Sequence, residues 1–210
     1  GKYIPHSQSF FVVATATNQS LNFTEAMKTN RCNPKGFERS AQMPAIAMHL
    51  YDGQRKMKDA SNITMNDAST SGFDSGWDVM DMYDLESNPF NLSLLTEEKT
   101  LLMASSVSSE VQNTIPVYLD LRNEMDAFDY AYVTLSQIND ENWWVQNKLS
   151  NQPISISSDG QSVLIAPGQW ISVKSKDELR IPFNGDFHGT AFVLQNCTNG
   201  QCPDESMNAT

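Results

Sequence analysis

Cysteine is scarce in this chain. Cys32, Cys197 and Cys202 are too few for the disulfide framework of a small secreted scaffold. Cys197 and Cys202 bracket the turn-forming Asn199-Gly200 pair, so they form either a small bridged loop, in an oxidising compartment, or two free thiols. Cys32 is left over in both cases. Histidine is also sparse, and His6, His49 and His188 stand singly, which excludes a zinc site built on paired Cys and His ligands. Basic residues are outnumbered, 14 Lys and Arg against 25 Asp and Glu, and the net charge of -11 argues against nucleic acid or an anionic membrane as partner. No apolar run approaches the roughly eighteen residues of a membrane-spanning helix, and no basic-then-apolar leader opens the chain. The expectation is a protein without membrane insertion, exported if at all in processed form. Motifs of catalysis are missing as well: there is no G-x-S-x-G, no H-E-x-x-H and no phosphate-cradling loop, so no enzymatic activity is expected.

What the chain does have is alternation. In "SQSFFVVATAT" Phe10, Val12 and Ala14 fall on one side and Phe11, Val13 and Thr15 on the other, as in a strand buried on both faces. "SLNFT" reads as its hairpin partner. "PAIAMHLYD" sets Ile46, Met48 and Leu50 against Ala47, His49 and Tyr51. "SNITMND", "FNLSLL", "IPVYLDLR", "FDYAYVTLS", "QPISISSDGQSVLIA", "ELRIPFNG" and "GTAFVLQN" follow, each short and fenced by Gly, Pro, Asn, Asp or Ser. The spacing predicts an all-β fold, an antiparallel β-sandwich of immunoglobulin-like or jelly-roll-like kind. Residues 1–42 are expected to form an N-terminal hairpin region, 43–196 the sandwich and 197–210 a polar tail.

The acidic stretch "TSGFDSGWDVMDMYD", from Thr70 to Asp84, carries three readings. Asp74, Asp78 and Asp81 are candidate calcium ligands, hard oxygens of the type that ion prefers, although no helix-loop-helix calcium motif is present. Catalytic carboxylates are the second reading, and the spacing does not single out a pair. The third is a turn shaped by Gly72 and Gly76 leading into a strand that buries Trp77 and Val79 and leaves Asp81 as the misfit on the apolar side. Elsewhere, Trp143 and Trp144 are adjacent. In a strand one indole would be core and the other free to stack on a sugar, with Asn142 beside it as a hydrogen-bonding group. The alternative is that both rings pack under a loop.

The order of "YIPHSQSFFVVATATNQSLNFTEAMKTN", "FERS", "TSGFDSGWDVMDMYD", "NPFNLSLLTEEKTLLMASSV" and "IPVYLDLR" resembles the β-sandwich region of large Bacteroidota cell-surface proteins exported by type IX secretion. The resemblance covers about residues 2–135, and no C-terminal sorting domain follows Cys197. It implies an extracellular, non-catalytic module of adhesion, structure or assembly, with protein subunits, cell-surface components or a glycan as partners. The strand holding Phe10, Phe11, Val12 and Val13 is then the candidate for completing a neighbour's sheet. Sequons at Asn18, Asn22, Asn62, Asn91, Asn196 and Asn208 support a different history, a eukaryotic or viral secreted glycoprotein. No cofactor other than calcium is expected.

Overall fold

The computed structural model describes residues 15–24, 45–74, 76–82, 90–109, 114–122, 129–137, 142–158, 160–182, 186–197 and 202–203. The chain divides into two compact units, Gly1–Gln42 and Met43–Thr210. In the first, residues 15–24 are turn and irregular chain with exposed side chains, and Asn18 sits at a φ of 59°. Asparagine tolerates that left-handed conformation because its short amide bonds locally. The expected hairpin partner Ser20–Thr24 is therefore not a strand, and Phe10, Phe11, Val12 and Val13 lie outside the described residues.

In the second unit the described residues form thirteen strands and no helix: β1 (Ile46–Tyr51), β2 (Met57–Met65), β3 (Val79–Met80), β4 (Asn91–Leu95), β5 (Leu101–Val107), β6 (Thr114–Asp120), β7 (Tyr130–Gln137), β8 (Trp143–Asn147), β9 (Ile154–Ser158), β10 (Gln161–Ile165), β11 (Trp170–Ser172), β12 (Lys176–Pro182) and β13 (His188–Asn196). Hydrogen bonds join them in the order β10-β9-β12-β7-β1-β2-β5-β4-β6-β13-β8-β11, with β3 beside β5. Neighbours are antiparallel except β2 and β5, which run parallel from Asn62 opposite Ala104 to Met65 opposite Val107. Parallel pairing needs a long return, and the chain between Met65 and Leu101, which carries β3 and β4, provides one.

The all-β class agrees with the alternation, but one mixed sheet stands where separate antiparallel sheets were expected. It curls almost into a barrel, because the strands at its two ends, β10 and β11, are consecutive in the chain and only the Ala166–Gln169 turn separates them. Gly168, at a φ of 79°, supplies a conformation that turn requires. Asn147 at the end of β8 ties down the same corner. Its fully buried amide donates to the carbonyls of Gln152 (2.8 Å) and Ile165 (2.9 Å), and its oxygen accepts from the Leu149 N–H (2.8 Å).

The core follows from period two. Ile46, Met48 and Leu50 in β1 are fully buried and alternate with half-buried residues, as do Val133 and Leu135 in β7, and Leu179 and Ile181 in β12 are fully buried on either side of the exposed Arg180. Each such side chain stabilises the fold by about 1.5–3 kcal/mol through burial. Trp143 and Phe192 are the bulkiest contributions from the other end of the sheet.

Candidate functional site

The acidic stretch begins as a turn. The Asp74 carboxylate accepts hydrogen bonds from the Thr70 N–H (2.6 Å) and the Thr70 hydroxyl (3.1 Å), closing the loop on itself. Asp78 then accepts from the Asp74 N–H (2.8 Å) with one oxygen and from the Ser106 N–H in β5 (2.7 Å) with the other. This second carboxylate bolts the loop to the sheet. Asp81, the misfit, accepts from the Asn91 amide (2.8 Å) and from the Ser93 hydroxyl, both in β4.

Donors of the protein itself thus hold the three aspartates, each with its own set of partners. Among the described residues no cluster of three His, Cys, Asp or Glu side chains is arranged to hold a metal ion. Among the described residues the strand expected from Trp77 onward is limited to Val79–Met80, and Trp77 is 49% exposed instead of packed in the core. Neither Gly72 nor Gly76 adopts a positive φ, so turn conformation is not their reason. A Cβ on Gly72 would come within 3.0 Å of the Glu98 carboxylate, whereas Gly76 faces open space.

Beside Asp81 lies a residue that the sequence did not single out. Asp59 in β2 accepts from the Leu92 N–H (2.7 Å) and the Ala60 N–H (2.8 Å). Burial raises its pKa, and the charge of Asp81 pushes the same way against the lowering effect of those two N–H groups. Burial likewise raises Asp78, with Asp74 adding to the effect. A carboxyl raised in the folded state lends stability in its protonated form. For Asp59 that contribution is complete below the ordinary value of 3.8 and is lost as pH climbs through the folded value. Asp81→Asn should therefore lower the Asp59 titration midpoint, read by carbon-detected NMR of the side-chain carboxyl. An unchanged midpoint would mean that the two charges do not interact.

Between this loop and β4, β5 and β6 opens a cleft of about 400 Å³. Thr70 and Ser71 line it together with Glu97, and Leu94, Leu102 and Ile115 supply apolar walls. Hydroxyls over an apolar floor can hold a small polar molecule. A second groove, about 290 Å³, lies on another face, where Tyr130, Ser155, Leu164 and Arg180 meet. The Arg180 guanidinium stacks on the Tyr130 ring at 4.3 Å.

The expected sugar platform is not there. Trp143 and Trp144 are both buried, at 0% and 7% exposure, while Asn142 is exposed. Pleating does send the two rings to opposite faces, but Trp144 is covered on its side as well, so neither indole is open to a sugar ring. Cys197 and Cys202 are free thiols in contact with each other. Burial, with the Cys202 thiol adding to it, pushes Cys197 up to about 12, which makes it a poor nucleophile at neutral pH. Of the sequons, Asn91 and Asn196 are buried, at 4% and 0%, and cannot carry a bulky glycan in the folded protein, whereas Asn18 and Asn22 are exposed.

The sheet also ends openly. β10 pairs with β9 alone among the described residues, and its residues Gln161, Ser162, Val163 and Leu164 are all exposed. No family model matches this chain, and neither a curated protein nor a solved structure does.

Proposed function

We propose that this chain is a non-catalytic extracellular module of cell-surface attachment or assembly, joined to its neighbours by strand addition. The open edge at β10 carries the reading. A row of unpaired backbone N–H and C=O groups is a template for another strand, and proteins that avoid such pairing blunt the edge with Lys, Pro or a bulge. The segment "QSVLI" has none of these side chains, and its ladder with β9 runs without a register shift from Gln161 opposite Ser158 to Ile165 opposite Ile154. The resemblance to Bacteroidota surface proteins supports the same setting. So does the acidic, Ser- and Thr-rich composition, which favours solubility over contact with nucleic acid.

The cleft adds a place for a small ligand, which supports a binding role. Strand addition predicts concentration-dependent association. Val163→Lys should abolish it in light scattering and leave the unfolding free energy within about 0.5 kcal/mol of wild type, because the replaced side chain is 51% exposed. A wild-type chain that stays monomeric at millimolar concentration would refute the assembly reading.

A further inference from the structure

One pair of reactive side chains has no part in the cleft, the grooves or the sheet edge. Cys197 directly follows β13 and is 3% exposed, and its N–H donates to the Asn142 carbonyl at 2.8 Å. The sheet therefore fixes where this thiol stands. Cys202 is half-buried, and residues 198–201 separate the two in the chain. The Cys197 thiol hydrogen-bonds that of Cys202. Two thiols so placed have two chemistries open to them, a shared metal ion or a shared disulfide. A thiolate metal site takes further ligands, and among the described residues no third Cys, His, Asp or Glu side chain joins the pair.

We propose that Cys197 and Cys202 are a reversible dithiol–disulfide pair, in which Cys202 meets the oxidant and Cys197 closes the bridge. This goes beyond the assembly reading and stands independently of it. Access sets the order of the two thiols. Exchange begins when a thiolate attacks a disulfide sulfur, so the oxidant must touch the first thiol. Cys202 offers surface to it, and Cys197 almost none. Reactivity runs the same way, because burial first, and the Cys202 thiol after it, push Cys197 up to about 12.

With a small-molecule disulfide as oxidant, the Cys202 thiolate bonds to one of its sulfurs and expels the other as a thiolate. Cys202 then has no thiol left to ionise, so its share in holding up Cys197 is gone. Cys197 gives its proton to solvent, attacks the Cys202 sulfur and expels the second small thiolate. The chain gives up two electrons and two protons, and the oxidant leaves as two thiols. The ring so closed runs around the Asn199-Gly200 turn pair. Because the fold already holds the sulfurs together, it favours the bridge, and by linkage the bridge favours the fold to the same degree.

The wild-type chain is equilibrated with mixtures of reduced and oxidised glutathione, native and again in urea above its unfolding midpoint, then quenched with acid and peptide-mapped by mass spectrometry. The native chain should carry the Cys197–Cys202 link with an equilibrium constant at least about tenfold that of the unfolded chain, a gain of about 1.4 kcal/mol in stability on oxidation. The urea midpoint should rise to match. Cys197→Ser should stop at a glutathione adduct on Cys202, and Cys202→Ser should leave Cys197 of the folded chain unmodified over the same time. A native chain that stays reduced, that joins either thiol to Cys32, or that bridges no better than the unfolded chain overturns the pair. Adducts forming equally fast in the two serine variants overturn the order of attack.

Discussion

Trp143→Ala should lower the unfolding free energy by about 3–5 kcal/mol, the range for emptying a fully buried large aromatic site. Trp143 has no exposed surface, opens β8, and shares its ladder with Asn196 in β13. Its carbonyl also receives the Val173 N–H at 2.8 Å, so a collapse of the cavity would pull on a neighbouring segment as well. Domains of this kind hold only about 5–15 kcal/mol in all, so the variant should unfold at much lower urea and populate unfolded chain at 37 °C. Trp77→Ala is the control. With half its surface already in water it should shift the midpoint far less, and equal effects for the two tryptophans would show that Trp143 is not a core residue.

Asp78→Ala should cost about 2–4 kcal/mol, since it strips two backbone N–H groups of their acceptor at once. One of them, Ser106, belongs to β5 and is 1% exposed, so water cannot take the place of the carboxylate. The other, Asp74, holds the turn that places Thr70 and Ser71 on the cleft. Asp78→Asn keeps the shape but points an N–H₂ group at one of the two donors, and should recover at most half of the loss. Calcium provides the discriminating arm. If protein donors alone hold these aspartates, chelator and millimolar calcium leave the wild-type urea midpoint unchanged. A midpoint that rises with calcium in wild type and not in Asp78→Ala would assign the loop to an ion instead.

The legible parts of this fold are those where one side of a strand faces the core and the other does not. Ile46, Met48 and Leu50 could be placed on a single buried face because their alternation is unbroken, and the same holds for Val133 and Leu135. Pairing partners were not legible. Nothing local in Asn62–Met65 says that its neighbour will be the parallel Ala104–Val107, because that choice is made by how a distant return packs. The tryptophans misled for a related reason: pleating fixes which face each ring takes, and tertiary cover decides whether that face is wet. Asp81 stands out in the sequence because a carboxylate on an apolar face must meet a donor, but its donors Asn91 and Ser93 come from another strand. Asp59 gave no signal at all, lying in the unremarkable run "MKDASNITM".

The order of the strands also governs when the protein can fold. β1 lies between β2 and β7, some 85 residues downstream at the contact of His49 with Thr134, and β6 waits for β13, the last strand of the described residues. Closing loops of that length before any of their contacts form slows the search, and sheets dominated by such pairings fold in about milliseconds to seconds. A nascent chain therefore carries unpaired edges on β6 and β8 until Asn196 has been made, and a truncation before β13 parts the β8–β11 pair from the rest of the sheet and exposes two edges of the kind that aggregate.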